Sequence, residues 1–316
     1  IEAMRPALSV LLLTTLIGAA QGLLLTLAGT ELAVRVGAVA LPSGFLLLGS
    51  VLVILLSAAG LLASFFHLGH PERAWRAAAG WRTSWLSREV IVLPAFMGAV
   101  ALYGLARWSG HGAALLLVLL SSVLALALFV CTGMIYAAVK VIREWASPYT
   151  VVNFVLLGGA SGLTLAAALA AFTASDVTPE LAPTLGRLAL LATLLAGASR
   201  LAAQWRNARL VAKTTLQSAI GVRHPRIVQR SQGAMGGSFQ TKEFFHGRTP
   251  AQVQRIGWVA LLAGLVLPLL LLAAGAGVAL LTGLAFVLQY LGLLAERWLF
   301  FAQARHPQNL YHQTIG

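Results

Sequence analysis

The chain has 316 residues, 59% of them hydrophobic and 10% charged, with a formal net charge of +13. A mean hydropathy of +0.85 means more apolar surface than a water-soluble core can bury, so a soluble globular protein is excluded and lipid is the expected solvent. The one cysteine, Cys131, stands inside an apolar run, which excludes a disulfide framework or a cysteine-ligated metal cluster within this chain.

Runs of about 20 apolar residues, enough for a helix to cross a hydrocarbon core, occur eight times. They lie at approximately 7–29, 44–66, 89–107, 113–138, 148–172, 182–205, 255–274 and 277–301. No short apolar run with a small-residue cleavage pattern comes before the first, so a removed signal peptide is not expected. The predicted fold class is all-α: one integral membrane domain over 1–316, eight transmembrane helices grouped as two four-helix bundles, and short interfacial helices. In the first span Gly18 and Gly22 have the GxxxG spacing that lets helix backbones approach closely, and Gly158 and Gly162 repeat it in the fifth. Gln21 is read as a helix–helix hydrogen bond. Pro94 and Pro268 predict kinks in the third and seventh spans.

The connections carry the charge. Between the second and third spans the chain reads SFFHLGHPERAWRAAAGWRTSWLSREV (64–90). His70-Pro71-Glu72 suits a helix start, with proline in the first turn and a carboxylate at the positive dipole end. Trp75, Trp81 and Trp85 then suit headgroup depth, where Arg73, Arg76, Arg82 and Arg88 reach lipid phosphates or a partner. The longest connection, 206–254, is a basic loop that turns glycine-rich after Gly233. Its GAMGG has no phosphate-loop spacing, whereas Phe239, Phe244 and Phe245 are poor residues to leave in water and point to a docked partner. A merely solvated loop is the alternative.

Numbering the connections alternately puts 19 of the 22 Lys and Arg on one side of the membrane, leaving Arg35, Arg107 and Arg187 on the other. The positive-inside rule makes that basic side cytoplasmic, with both termini inside and the bacterial cytoplasmic membrane as the location. The high isoelectric point therefore reports topology, and no nucleic acid is implied; anionic membrane lipid or an acidic protein is the natural counterpart.

Two residues in the first basic connection stand apart. His67 closes the second span and Glu89 opens the third, both at the edge of hydrocarbon, where unpaired charge is expensive. Each has a plain reading: a satisfied interfacial histidine and a carboxylate capping a helix N-terminus. Together, an imidazole and a carboxylate at one face are the groups needed to pass protons to a lipid-soluble redox carrier. Tyr136, Asn153, Arg200, Glu296 and Arg297 fall near the same face, and of these Tyr136, Asn153 and Arg297 are candidates to line a pocket. Glu296 and Arg297 point about 100° apart on a helix, so a direct pair between them is not expected. The seven histidines, His67, His70, His111, His224, His246, His306 and His312, all lie at span ends, in loops or in the tail. No axial pair for a b-type haem exists.

The run HLG-x-P-x-RAW (67–75) followed by RTSWLSRE (82–89) resembles the membrane anchor subunit family of dimethyl sulfoxide reductase. So do IYAAVKVIREWASPYTVVNF (135–154), GGSFQTKEFFHG (236–247) and AERWLFFA (295–302). The resemblance implies an eight-span subunit without haem or metal that holds an iron–sulfur subunit and a molybdopterin catalytic subunit at the membrane and exchanges electrons with ubiquinone or menaquinone. It also implies that the histidine of HLG-x-P and the glutamate of LS-x-E, His67 and Glu89 here, take part in quinol binding and oxidation. His70 occupies the variable position before proline and inherits no role. Proton groups and basic surface on the inner face favour cytoplasmic catalytic subunits, and so quinone reduction coupled to sulfite oxidation over quinol oxidation by a dimethyl sulfoxide reductase. Readings of other classes are a secondary transporter, disfavoured by the nearly uncharged middle of the spans, and a purely structural anchor.

Overall fold

The computed structural model describes residues 6–42, 44–66, 68–174, 178–211, 215–228 and 246–305. Among them the only regular structure is helical, with eight helices long and apolar enough to cross a membrane. These are α1 (Leu8–Arg35), α2 (Phe45–Phe65), α3 (Trp85–Ser109), α4 (Ala114–Ala137), α5 (Pro148–Phe172), α6 (Leu181–Ala208), α7 (Pro250–Gly275) and α8 (Ala279–Ala302). A 3-10 helix, Pro71–Gly80, precedes α3, and a five-residue helix, Leu216–Ile220, follows α6. The expectations for His67 and for Phe239, Phe244 and Phe245 lie outside the described residues.

Helix α1 packs on α2, α4 and α5, and α5 packs on α6 and α8 as well. These two are the most buried spans, while α7 is the least covered. Because α1 lies on α5 as extensively as on α2, the helices do not separate into two independent four-helix bundles. The two GxxxG sequences are opposite sides of this one crossing. A Cβ on Gly18 would meet the Gly158 Cα at 3.5 Å, and one on Gly22 would lie 2.9 Å from the Gly159 Cα. One on Gly162 would collide with the Gly22 backbone. Only hydrogen fits there, so the backbones touch. Beside the crossing, Gln21 Nε2 donates to the Ala125 carbonyl of α4 at 2.8 Å, joining α1 to a third helix.

Several helix ends differ from the hydropathy reading for local reasons. Helix α1 continues past Glu31 because that carboxylate is buried among partners: Tyr103 Oη donates to it at 2.9 Å, and Arg107 and Arg35 approach at 3.4 and 3.5 Å. Helix α3 starts four residues before Glu89, since Ser84 caps it by accepting from the Ser87 amide. Helix α7 starts at Pro250 because Thr249 and Gln252 form a reciprocal capping box. Within α7 the predicted disturbance at Pro268 takes the form of a π turn, Leu262–Val266, just before the proline. Proline brings no N–H to the ladder, and widening to i→i+5 accommodates the loss.

The first connection is built as its sequence suggests. Pro71 and Glu72 occupy the first turn of the 3-10 helix, and His70 Nδ1 lies 3.0 Å from Glu72 Oε1. Trp75 and Trp81 are exposed, and the guanidiniums of Arg76, Arg82 and Arg88 lie over the rings of Trp75, Trp81 and Trp85.

Candidate functional site at the basic face

Glu89 sits one turn inside α3 and is only 9% exposed. The capping reading of its carboxylate is corrected by the structure, because Ser84 holds the cap position. Its partner comes from the neighbouring helix: Thr132 Oγ1 of α4 donates to Glu89 Oε1 at 2.5 Å. A carboxylate thus stands within the bilayer-spanning part of the fold, at the end where the Lys and Arg cluster, held by one hydroxyl. Nothing in the sequence marks Thr132, since threonines in apolar helices commonly bond to their own backbone, as Thr14 and Thr164 do.

One turn further along α4 is Tyr136, within electrostatic range of both Glu89 and Arg297. Its ring is enclosed by aromatics: edge-on to Trp145, Phe300 and Phe301 at 5.3–5.4 Å between centroids, and stacked on Phe154 at 5.7 Å. Trp145 Nε1 donates to the Phe300 carbonyl at 3.0 Å, tying the connection after α4 to the end of α8. The segments IREW, VVNF and RWLFF, distant in sequence, meet here. Arg297 is 3% exposed, with its guanidinium carbon 3.8 Å above the Phe154 ring, so burial of this cation is offset by an aromatic face. Asn153, beside Phe154, is buried with no hydrogen-bond partner for its amide oxygen.

The structure therefore brings Glu89, Tyr136 and Arg297 into one neighbourhood, with Asn153 on the adjacent turn of α5. It also corrects the expectation that Glu296 and Arg297 do not meet. Arg297 Nε lies 3.4 Å from Glu296 Oε2, because both side chains fold back along α8. The other Glu296 oxygen reaches Arg200 Nε of α6 at 2.6 Å. That contact is an ion pair by distance with poorly aimed hydrogens, since Arg200 Nε and Nη2 and Glu296 Oε2 have no hydrogen-bond partner. No group of three metal-ligating side chains occurs among the described residues.

The arrangement of eight spans, with buried polar groups gathered at one basic end, suits a membrane subunit that works with a partner at that face. Residues 4–302 match the family of the DMSO reductase anchor subunit (DmsC). The chain belongs to this family. The anchor is also 52% identical to a sulfite dehydrogenase subunit of Allochromatium vinosum, across 99% of this chain and all of that protein. Family membership makes the chain a membrane anchor subunit, whose partners in such complexes are catalytic and iron–sulfur subunits. It accounts for the match between the 67–89 motif and the buried position of Glu89, a pairing that hydropathy alone leaves unexplained.

Proposed function

We propose that this anchor exchanges two electrons and two protons with a membrane quinone at its basic face, with Glu89 and His67 as the proton-handling groups. The observation that carries the reading is the position of Glu89, a carboxylate buried one turn inside a span and held by Thr132 Oγ1 alone among the described residues. An ionisable group so placed is expensive unless it works. Quinone chemistry needs such a group, because reduction to the quinol adds two protons to ring oxygens that sit in an apolar medium. Thr132 fixes one carboxylate oxygen, leaving the other to take and release a proton. Asn153, with its unpartnered amide oxygen, is suited to orient a ring hydroxyl, and Tyr136 and Arg297 set the field near it. None of these groups supplies redox chemistry. That belongs to the quinone and to the iron–sulfur clusters of the docked subunit.

The basic end faces the cytoplasm in this proposal, both termini included, and the iron–sulfur and molybdopterin subunits dock there. Electrons then run from catalytic subunit to quinone, as in a sulfite-oxidising complex, a direction supported by the name of the Allochromatium vinosum relative. The test is Glu89→Gln in the assembled complex. Quinone-coupled turnover is expected to fall on the order of 10²-fold while the partner subunits still assemble. Unchanged turnover would leave a purely structural anchor.

A further inference from the structure

The second half of the anchor contains a cavity of about 720 Å³ between α6, α7 and α8, within the size range of small-molecule sites. Among the described residues its wall includes neither Glu89 nor Tyr136 nor Arg297. Its upper end is closed by close packing: a Cβ on Gly264 would meet the Gly292 backbone at 3.2 Å, and Gly197 leaves room for the Leu265 side chain. Both Gly264 and Leu265 belong to the π turn of α7. Such turns often occur at functional sites, and this one offsets the rest of α7 from α8. Two turns nearer the basic face, Gly257 lines the cavity with nothing within 4 Å of where a Cβ would be.

Two polar rungs cross this space. At mid-span Gln289 Nε2 donates to Thr193 Oγ1 at 2.9 Å, and seven residues along both helices Glu296 faces Arg200. Seven residues of helix put the rungs about 10 Å apart. Each rung is incomplete. Gln289 Oε1 and Glu296 Oε2 accept no hydrogen bond, and Arg200 Nε and Nη2 donate none, all of them buried. Native structures seldom leave such atoms orphaned, and here four of them border one void.

The pattern selects a ligand. The wall between the rungs is apolar, formed by Ala196, Gly197, Leu265 and Leu293, so a chain of waters would lack partners there. An anionic phosphate would meet the Glu296 carboxylate, and an acyl chain would satisfy none of the orphans. A flat ring with a hydroxyl at each end, hydrogen-bonded over roughly 3 Å at both, covers the interval. We infer that this cavity binds the ring of a quinol, at a site separate from Glu89. One hydroxyl donates to Gln289 Oε1, and the other donates to Glu296 Oε2 while accepting from Arg200. The oxidised ring carries no donor and leaves both acceptors unmet, so the reduced form binds more tightly.

The test uses the assembled complex in detergent with a photoreactive azidohydroquinone kept reduced. Labelled peptides are expected from 193–204 and from 250–265 or 289–303, and quinol is expected to compete at least tenfold better than quinone. Gln289→Leu removes one rung. Gly257→Leu fills the cavity without deleting a polar group, so it covers the case in which the first variant misfolds. Each is expected to reduce labelling at those peptides at least tenfold, and Glu89→Gln to leave it intact. Labelling confined to peptides near Glu89, or undiminished by either cavity variant, overturns the site; equal competition by quinone overturns its preference for the reduced form. Turnover reports on Glu89 and labelling on the cavity, so the two readings fail separately.

Discussion

Glu296 and Arg297 are neighbours on α8, yet they face regions built in opposite ways. Around Arg297 the space is filled: rings from α4, α5, α8 and the α4–α5 connection enclose Tyr136, and the guanidinium lies on Phe154. Around Glu296 the helices stand apart, α7 is thinly covered, and buried polar atoms lack partners. The difference shows two ways of keeping a charge within the membrane. In the filled region aromatic faces and short contacts compensate it and fix its position. In the open region compensation is left unfinished, which costs stability and leaves room for a guest.

Four substitutions probe that contrast. The largest effect is expected from Glu89→Gln, which keeps the Thr132 contact but removes the proton: quinone-coupled turnover falls on the order of 10²-fold or more, measured with the partner subunits bound. Next is Phe154→Ala in the filled region, expected to cost about 3 kcal/mol, because the ring supports both Tyr136 and Arg297 and cannot be replaced by collapse. The midpoint of unfolding of the purified subunit in mixed detergent checks it. Thr132→Val retains shape and removes one hydrogen bond to Glu89, an expected loss of about 1 kcal/mol in the same assay, with a fewfold fall in turnover. The smallest effect is expected from Leu261→Ala in the cavity wall, under about 1 kcal/mol, since the side chain already borders empty space. If Leu261→Ala cost as much as Phe154→Ala, the two regions would be equally packed and the contrast would fail.

Much of this arrangement is legible in the sequence where the signal is local. Span length gives the eight helices, and the GxxxG spacings mark the helix faces that touch. The cap at Ser84 is less visible, because SWLS lacks the glutamate of a full capping box, and so Glu89 reads as the first residue of its helix when it is the fifth. Glu31 reads as the end of a span, because its compensating partners Tyr103 and Arg107 lie more than 70 residues away. Thr132 is hidden for the same reason, with 43 residues between it and Glu89. The cavity is least legible of all. Three helices contribute alternate faces to it, and a void has no residue type of its own.

The glycine crossing of α1 and α5 also sets a timetable. Helix α5 begins at Pro148, after four spans have been made, so α1 waits in the bilayer with its glycine face without the partner it fits. Insertion of the early helices therefore cannot depend on this contact. The step that does depend on it is the joining of the two halves of the chain, late in synthesis. A leucine at Gly22 would leave every span correctly threaded through the membrane and arrest the subunit at that joining, before any surface for its partners is complete.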